Sequence, residues 1–322
     1  MGSRSWLVTA ALIGLFSAAL AAPARSENWP ERTVRILVPL PPGSPTDVAA
    51  RRLAEKLAER WSRSVIVENK QGADGILAVS GLIGARDNHT LLFSFPGIIS
   101  INPFLHEKLP YDPDADLVPI VPVLDNFIGF AAATSTGATT LSELVSVAQA
   151  NPGKLSWSAL PGVPNYVFLA LMKSAKLEAT RIAYRDFSPA YQDLHQGRLQ
   201  VAVAGITNFM PHQEKGTARI LAVVNSERAP FAPDIPTAAE AGFPELTFDS
   251  PVGLYGPGNM TPALVARISA DVRAITQDPA FRQQMINSGV APRNGTPQQF
   301  AIAIAEQRAR IAAIHRSTLV KE

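Results

Sequence analysis

The sequence of 322 residues contains no cysteine. It therefore has no disulfide framework, no thiol chemistry and no cysteine that could carry a lipid anchor. It also has little net charge, because 29 basic and 27 acidic residues leave +2. No basic field indicates nucleic-acid binding, and no acidic block indicates a disordered tail. The remaining composition, 47% hydrophobic and 17% charged, is ordinary for a globular α/β protein.

The motifs of common catalytic and metal centres are also missing. The five histidines show no HExxH or other metal spacing. No GxSxG elbow, Walker A loop or GxGxxG fingerprint occurs. Gly72–Gly75 (GADG) matches only part of a phosphate loop and is interpreted as a turn. The acidic run YDPDADL lacks the glycine and closing glutamate of a calcium loop. We therefore predict no catalytic residues, no metal and no cofactor.

The N-terminal segment is typical of a signal peptide. An apolar run from Trp6 to Ala22 follows Arg4, and the small residues Ala22-Pro23-Ala24 come next. A membrane anchor is the alternative, but the apolar run is short for a span. We therefore expect residues 1–24 to be removed during export.

Strand-like and helix-like stretches alternate along the rest of the chain, which predicts parallel sheets covered by helices. The strand VRILVPL leads to the helix TDVAARRLAEKLAERW, for which Thr46 or Asp47 is the expected cap. A second α/β unit begins after the proline-rich passage LVPIVPVLDN. We predict two lobes with a cleft between them: residues 27–123 plus 250–322 form the first lobe, and residues 124–249 form the second.

The loop PLPPGSPTD joins the first strand to the first helix and is a candidate anion site. Its prolines make it stiff, and Gly43 allows close approach of the backbone. Ser44, Thr46 and the first amides of the helix are donors, and a helix N-terminus favours anions. Alternatively, Thr46 and Asp47 only cap the helix. Asp47 would compete for the same amides unless a water separates it from the ligand, so the residues alone leave both interpretations open.

A second loop, SALPGVPNY, has the same character, with Asn165 as the candidate cap of its helix. If both loops face the cleft, two helix N-termini could clamp an anion. Tyr184 and Arg185 follow another strand, where Arg185 could pair with a carboxylate or, alternatively, with the neighbouring acid at the surface. Phe95 also follows a strand and is either a pocket wall or a core aromatic.

Seven segments occur in the order found in one receptor family. They are WPERTVRILVPLPPGSPTDVAARRLAEKL, VIVENKQGADG, INPFLHEKLPYDPDADLVPI, ANPGKLSWS, AYRDFSPAYQDLHQGRLQ, RILAVVNSERAPFAPDIPTAAEAGFPEL and GLYGPGNMTP. By these segments the chain resembles the Bug-type periplasmic solute receptors of tripartite tricarboxylate transporters. The resemblance implies a type II-like periplasmic-binding-protein fold, an α/β fold that closes on a small carboxylate. It also implies membrane transporter subunits as partners, a monomeric state and no nucleic-acid binding.

In this family the carboxylate is held largely by backbone amides, hydroxyls and water from the two loops. The resemblance places Ser44, Thr46 and Asp47 at the ligand and matches Gly162, Tyr184 and Arg185 to family positions. Together with Gly43, Phe95 and Asn165, which the residues themselves suggest, they form the predicted ligand site. The chain departs from the family at Ser44-Pro45, where glycines are expected, and at Ala204, where an acid is common. These departures favour a narrower, more apolar site and a carboxylate without an amino group.

Two further functions compete with a transport receptor. A periplasmic sensor, which would signal through a membrane partner without transport, needs the same cleft. An exported hydrolase would need a nucleophile and a base, and the sequence shows no such constellation.

Overall fold

The computed structural model describes residues 29–184 and 187–319. The described chain forms two β-sheets flanked by helices. The first sheet has the strand order β11-β4-β10-β3-β1-β2, with strands β1 (Val34–Val38), β2 (Val65–Asn69), β3 (Thr90–Ser94), β4 (Leu117–Asp125), β10 (Pro251–Pro257) and β11 (Ala291–Pro292). The second has the order β7-β6-β8-β5-β9, with strands β5 (Ile128–Ala133), β6 (Leu155–Ala159), β7 (Ala179–Arg181), β8 (Val201–Gly205) and β9 (Ala218–Val223).

The helices between these strands are α1 (Pro45–Trp61), α2 (Ile76–Ala85), α3 (Gly97–Ser100), α4 (Asn102–Leu105), α5 (Leu141–Ala150), α6 (Val163–Ser174), α7 (Ser188–His195), α8 (Met210–Glu214), α9 (Pro262–Gln277), α10 (Pro279–Asn287) and α11 (Pro297–Leu319). We call the unit around the first sheet the first lobe and the unit around the second sheet the second lobe. Among the described helices, none is both long and apolar enough to cross a membrane.

Both sheets are mixed, so the prediction of parallel sheets is only partly confirmed. Strand β1 pairs in parallel with β2 and β3, but β10 runs antiparallel to β3 and β4. Likewise β6 is parallel to β7 and β8, whereas β5 is antiparallel to β8 and β9. The chain enters β5 and β10 directly after passing from one sheet to the other. No covering helix precedes either strand, so the parallel direction that βαβ units impose does not apply.

Strand β4 was missed because it contains Pro119 and Pro122, inside the passage LVPIVPVLDN. The pairing of β4 with β10 shifts its register between Val252 and Gly253, which pairs with Pro122, and again before Tyr255, which pairs with Pro119. A proline has no N–H to donate to a ladder, and a β-bulge is one of the places where a strand tolerates it. The two bulges therefore allow a proline-rich segment to lie inside a sheet.

Two of the predicted helix caps are wrong. Helix α1 begins at Pro45, and its cap is Ser44, whose Oγ accepts a hydrogen bond from the Asp47 N–H at 3.2 Å. Helix α6 begins after Gly162, so Asn165 lies within its first turn and does not cap it. In α1, a proline at the first helical position, preceded by serine, is a common helix start, and this signal outweighs the capping tendency of Thr46 and Asp47.

Each lobe has its own apolar core. In the first lobe, helices α1 and α9 pack on the sheet through residues such as Leu53, Leu57 and Ile268. In the second lobe, the Trp157 and Phe168 rings stack at 4.1 Å between their centroids. Helix α11 contacts both lobes, because Phe300 packs in the first lobe and Ile311 in the core of the second.

Candidate functional site

A cavity of about 350 Å³ lies between the two lobes. Residues that follow strands β1, β3 and β6 line it, together with Gly205 at the end of β8. The first lobe contributes Leu40 and Phe95, and the second contributes Leu160 and Gly162. These are carboxyl ends of strands that pair in parallel in the two sheets, which is where open α/β sheets bind ligands.

Two segments that carry the chain between the lobes lie against this cavity. Asn126 follows β4 and Ser250 precedes β10, and both line the cavity. The Asn126 N–H donates a hydrogen bond to the Ser250 carbonyl oxygen at 3.1 Å. A movement of one lobe relative to the other would therefore bend the chain directly beside the cavity.

The cavity walls are mostly apolar. Among the described residues that line it, Asp74 alone carries a formal charge. Its Oδ2 lies 3.0 Å from His106 Nε2. Asn102, Asn126, Ser94 and Ser250 supply the neutral polar side chains.

Asp47 anchors the loop after β1. Its side chain is 2% exposed, and its Oδ2 accepts hydrogen bonds from the Gly43 N–H at 2.9 Å and from Arg51 Nε at 3.0 Å. Its Oδ1 accepts from Asn69 Nδ2 at 2.7 Å. Burial by itself would raise the pKa of Asp47, but these hydrogen bonds and the charge of Arg51 lower it below the usual value. The carboxylate is thus ionised and already satisfied.

The cavity brings together only some of the residues that the sequence predicted for the ligand. Phe95 and Gly162 line it, whereas the loop residues Gly43, Ser44, Thr46 and Asp47 are absent from its described lining, although Pro39 and Leu40 just before them contribute to it. Asn165 lies one residue beyond the lining residue Pro164, and its Oδ1 is buried without a hydrogen-bond partner among the described residues.

Of the two remaining predicted residues, Tyr184 lies between strand β7 and helix α7. The Tyr184 hydroxyl donates to Asp193 Oδ2 at 2.6 Å. Burial and this bond to a carboxylate raise the pKa of Tyr184 to about 12. Tyr184 is not among the residues that line the cavity, and Arg185 lies outside the described residues.

Sequence reasoning missed Ser94, Asn126, Ser250 and Asp74. Ser94 is the last residue of β3 and is 1% exposed, and its Oγ has no hydrogen-bond partner among the described residues. Its position directly before Phe95 was the only available signal. Asp74 lies in the predicted turn, which is confirmed as a 3₁₀ turn over Ala73–Gly75.

A second cavity, of about 330 Å³, lies between helix α11 and the segment that leads into β10. Its two arginines already have partners: Arg293 pairs with Asp125 at 2.7 Å, and Arg310 donates to the Thr247 carbonyl oxygen. This cavity is also away from the strand ends described above. The cavity between the lobes is therefore the better candidate site.

The chain matches the family model described as the tripartite tricarboxylate transporter family receptor over residues 49–318. It is 28% identical to the BugT protein of Bordetella pertussis over 317 residues, which covers 97% of both chains. It is 29% identical to a UPF0065 protein of Bordetella bronchiseptica over 311 residues, which covers 94% of this chain and 91% of that one.

Solved structures agree with this match. R. palustris Rpa4515 with adipate superimposes with a TM-score of 0.78 at 26% identity, covering 89% of this chain and 97% of that one. MatC from Rhodopseudomonas palustris with bound malate has a TM-score of 0.74 at 27% identity, covering 89% and 99%. The periplasmic binding protein BugD has a TM-score of 0.73 at 25% identity, covering 90% and 98%. With its two-lobed α/β fold, the chain belongs to the Bug-type tripartite tricarboxylate transporter receptor family.

Proposed function

We propose that this protein captures a small carboxylate in the periplasm and delivers it to the membrane subunits of a tripartite tricarboxylate-type transporter. The observation that carries the proposal is the cavity between the lobes, at strand ends of both sheets. Two solved relatives with bound adipate and malate support a carboxylate ligand. The same proposal assigns residues 1–24 to a cleaved signal peptide, residues 27–123 plus 250–322 to the first lobe, residues 124–249 to the second, and a monomeric state to the mature chain.

The ligand would lie between the two lobes and be enclosed when they close. Phe95 and Gly162 contact it from opposite sides in this proposal, since both line the cavity. Gly43, Ser44, Thr46 and Asp47 approach it as the first loop moves with its lobe. Asn165, Tyr184 and Arg185 complete the proposed site from the second lobe.

Neutral donors suit a receptor that must release its ligand. A carboxylate held by amides and hydroxyls gives up less interaction free energy on release to a transporter than one held by a buried bidentate arginine. A dissociation constant of about 1 μM corresponds to a binding free energy of about −8 kcal/mol. This affinity allows both capture and release of the ligand.

The direct test is binding by the mature chain, residues 25–322. A panel of monocarboxylates, dicarboxylates, tricarboxylates and amino acids is screened by thermal shift, and each ligand that raises the melting temperature is then titrated by calorimetry. We expect saturable binding of at least one carboxylate, with one site per chain. NMR spectra of the ligand should show that it is not chemically changed. If a folded protein binds no carboxylate of the panel, the proposal is wrong.

Uptake by cells separates transport from sensing. We expect a strain that lacks this receptor to lose uptake of the bound carboxylate and to regain it when the receptor is restored. Unchanged uptake would instead support a sensor that signals through a membrane partner.

A further inference from the structure

We propose that the cavity selects an organic anion with a single carboxylate on an apolar body, and that Asp74 is the residue that rejects a second carboxylate. This inference rests on the proposed function and narrows its ligand class.

Asp74 is held firmly at the cavity wall. It lies in the 3₁₀ turn Ala73–Gly75 with a left-handed backbone (φ 52°, ψ 34°). Its carbonyl oxygen accepts a hydrogen bond from the buried Asn102 Nδ2 at 3.1 Å. Asn102 also donates to the Tyr111 hydroxyl at 3.1 Å, and Tyr111 donates to the Ile98 carbonyl oxygen at 2.6 Å. This buried network holds the backbone of the turn, and the contact between Asp74 Oδ2 and His106 Nε2 at 3.0 Å holds the side chain.

A negative charge at this place opposes a second anion. The Asp74 side chain is 41% exposed, and Asp74 is one of the residues that line the cavity. The described lining residues include no lysine, arginine or histidine. His106 pairs with Asp74 Oδ2 and is not one of the lining residues. Placing a ligand charge next to a protein charge of the same sign strongly lowers the affinity for that ligand.

The buried end of the cavity offers the opposite chemistry. Ser94 is one of the residues that line the cavity, and its Oγ is buried with no hydrogen-bond partner among the described residues. An unsatisfied buried hydroxyl costs free energy, and a ligand carboxylate that accepts its hydrogen bond removes that cost. Ser250, which is 2% exposed, lines the same cavity. In this proposal the single carboxylate of the ligand lies beside Ser94 and Ser250.

Between these ends the walls are apolar. Leu40, Phe95 and Ile98 line the first-lobe side, and Leu160 and Val163 line the second-lobe side. The volume of about 350 Å³ is at the lower end of the usual range for small-molecule sites. A second carboxylate would lie either among these apolar side chains, where an unpaired charge is costly, or beside Asp74.

The test compares pairs of ligands that differ by one carboxylate and share a carbon skeleton. Suitable pairs are hexanoate with adipate, and cyclohexanecarboxylate with trans-cyclohexane-1,4-dicarboxylate. Calorimetry on the mature chain should show that the monocarboxylate of a pair binds at least about tenfold more tightly. A dicarboxylate that binds as tightly as its partner, or more tightly, overturns this inference and leaves the proposed function intact. If neither class binds to the folded protein, the proposed function fails as well.

Asp74→Asn assigns the selectivity to this residue. Asparagine keeps the shape and tolerates the left-handed backbone, so the ratio between the two affinities should fall from at least about tenfold towards one as the charge is removed. The control is Asp114→Asn, which removes the same charge from an exposed ion pair with Arg308 and should keep the wild-type ratio. An unchanged ratio in Asp74→Asn, or an equal fall in both variants, shows that Asp74 is not the determinant.

Ser94→Ala tests the buried end of the cavity. Because the hydroxyl has no partner in the described structure, its removal should leave the melting temperature unchanged or slightly raised. Monocarboxylate affinity should fall about fivefold to tenfold, the usual effect of losing one hydrogen bond of about 1 kcal/mol. Unchanged affinity in a stable variant excludes Ser94 as the carboxylate donor.

Discussion

The carboxylate of Asp47 is buried and ties three parts of the first lobe together. It accepts hydrogen bonds from Gly43 in the loop, from Arg51 one turn further along helix α1, and from Asn69 at the end of β2. Asn69 Nδ2 also donates to the Leu40 carbonyl oxygen at 2.9 Å. Because Leu40 lines the cavity, the hydrogen bond between Asp47 and Asn69 helps to fix the position of a cavity-wall residue.

Asp47→Asn should lower the stability of the folded chain in a pH-dependent way. The folded-state pKa of Asp47 is lowered, so its ionised form contributes stability above the unfolded-state pKa of about 4. That contribution is lost as the pH falls through the folded-state pKa. We expect a loss of roughly 1–3 kcal/mol at pH 7, and a smaller difference between variant and wild type at each lower pH. Urea unfolding across this pH range measures it.

The same variant tests whether Asp47 also acts on the ligand. If Asp47 only supports the loop, the loss of carboxylate binding free energy in this variant should not exceed its loss of unfolding free energy. A stability difference that stays constant from pH 7 to the acid range would contradict the role assigned to its ionised carboxylate.

Helix α11 connects the two lobes at the level of secondary structure. Its first half packs on the first lobe, where the Phe300 ring lies 5.1 Å from that of Tyr255. Its second half places Ile311 in the core of the second lobe. Between them, Gln307 Oε1 accepts a hydrogen bond from Ser100 Oγ at 2.5 Å, and Gln307 Nε2 donates to the Asp249 carbonyl oxygen at 3.1 Å. The helix thus joins a wall helix of the cavity to the segment between the lobes.

Gln307→Ala should destabilise the protein by about 1–3 kcal/mol, because it removes a buried amide and leaves its partners with fewer hydrogen bonds. Denaturant unfolding of the mature chain measures the change. The matched control is Gln283→Ala, on an exposed face of helix α10, which should change stability by less than about 0.5 kcal/mol. Equal losses of unfolding free energy in the two variants would mean that the hydrogen bonds of Gln307 to Ser100 and Asp249 do not contribute to stability.

At the scale of the whole molecule, three connections join the two lobes: the segments around Asn126 and Ser250, which line the cavity, and helix α11, which packs against both lobes. Chain segments of this kind allow a hinge movement between two otherwise rigid sheets. A ligand that contacts both lobes would favour the closed arrangement by its difference in affinity for the two states.

Solution scattering should detect this closure. We expect the radius of gyration of the mature chain to decrease when a saturating carboxylate is added, because the ligand bridges the lobes. A carboxylate that does not raise the melting temperature serves as the control and should leave the scattering unchanged. The same radius of gyration with and without saturating ligand would mean that binding occurs without closure.

The sequence by itself determined several helices with their starting residues, and the family. Local patterns are sufficient for helix α7 (Ser188–His195) and for the helix starts where the Thr140 and Thr296 hydroxyls accept hydrogen bonds from the Glu143 and Gln299 N–H groups. These features depend on residues close together in the chain. The order of the seven family segments can likewise be read from the sequence alone, since it does not depend on tertiary contacts.

Only the tertiary structure decided which side chains face the cavity. Asp47 could have faced a ligand or its own loop, and the partner that decided it, Asn69, lies 22 residues away. Ser94, Asn126 and Ser250 are far apart in sequence and meet because β3, β4 and β10 are neighbours in one sheet. Asp74, which the sequence predicts only as part of a turn, lies at the cavity because Asn102, 28 residues further along the chain, binds its carbonyl oxygen. Local sequence specifies a turn or a cap, whereas the direction of a polar side chain depends on which strands pair.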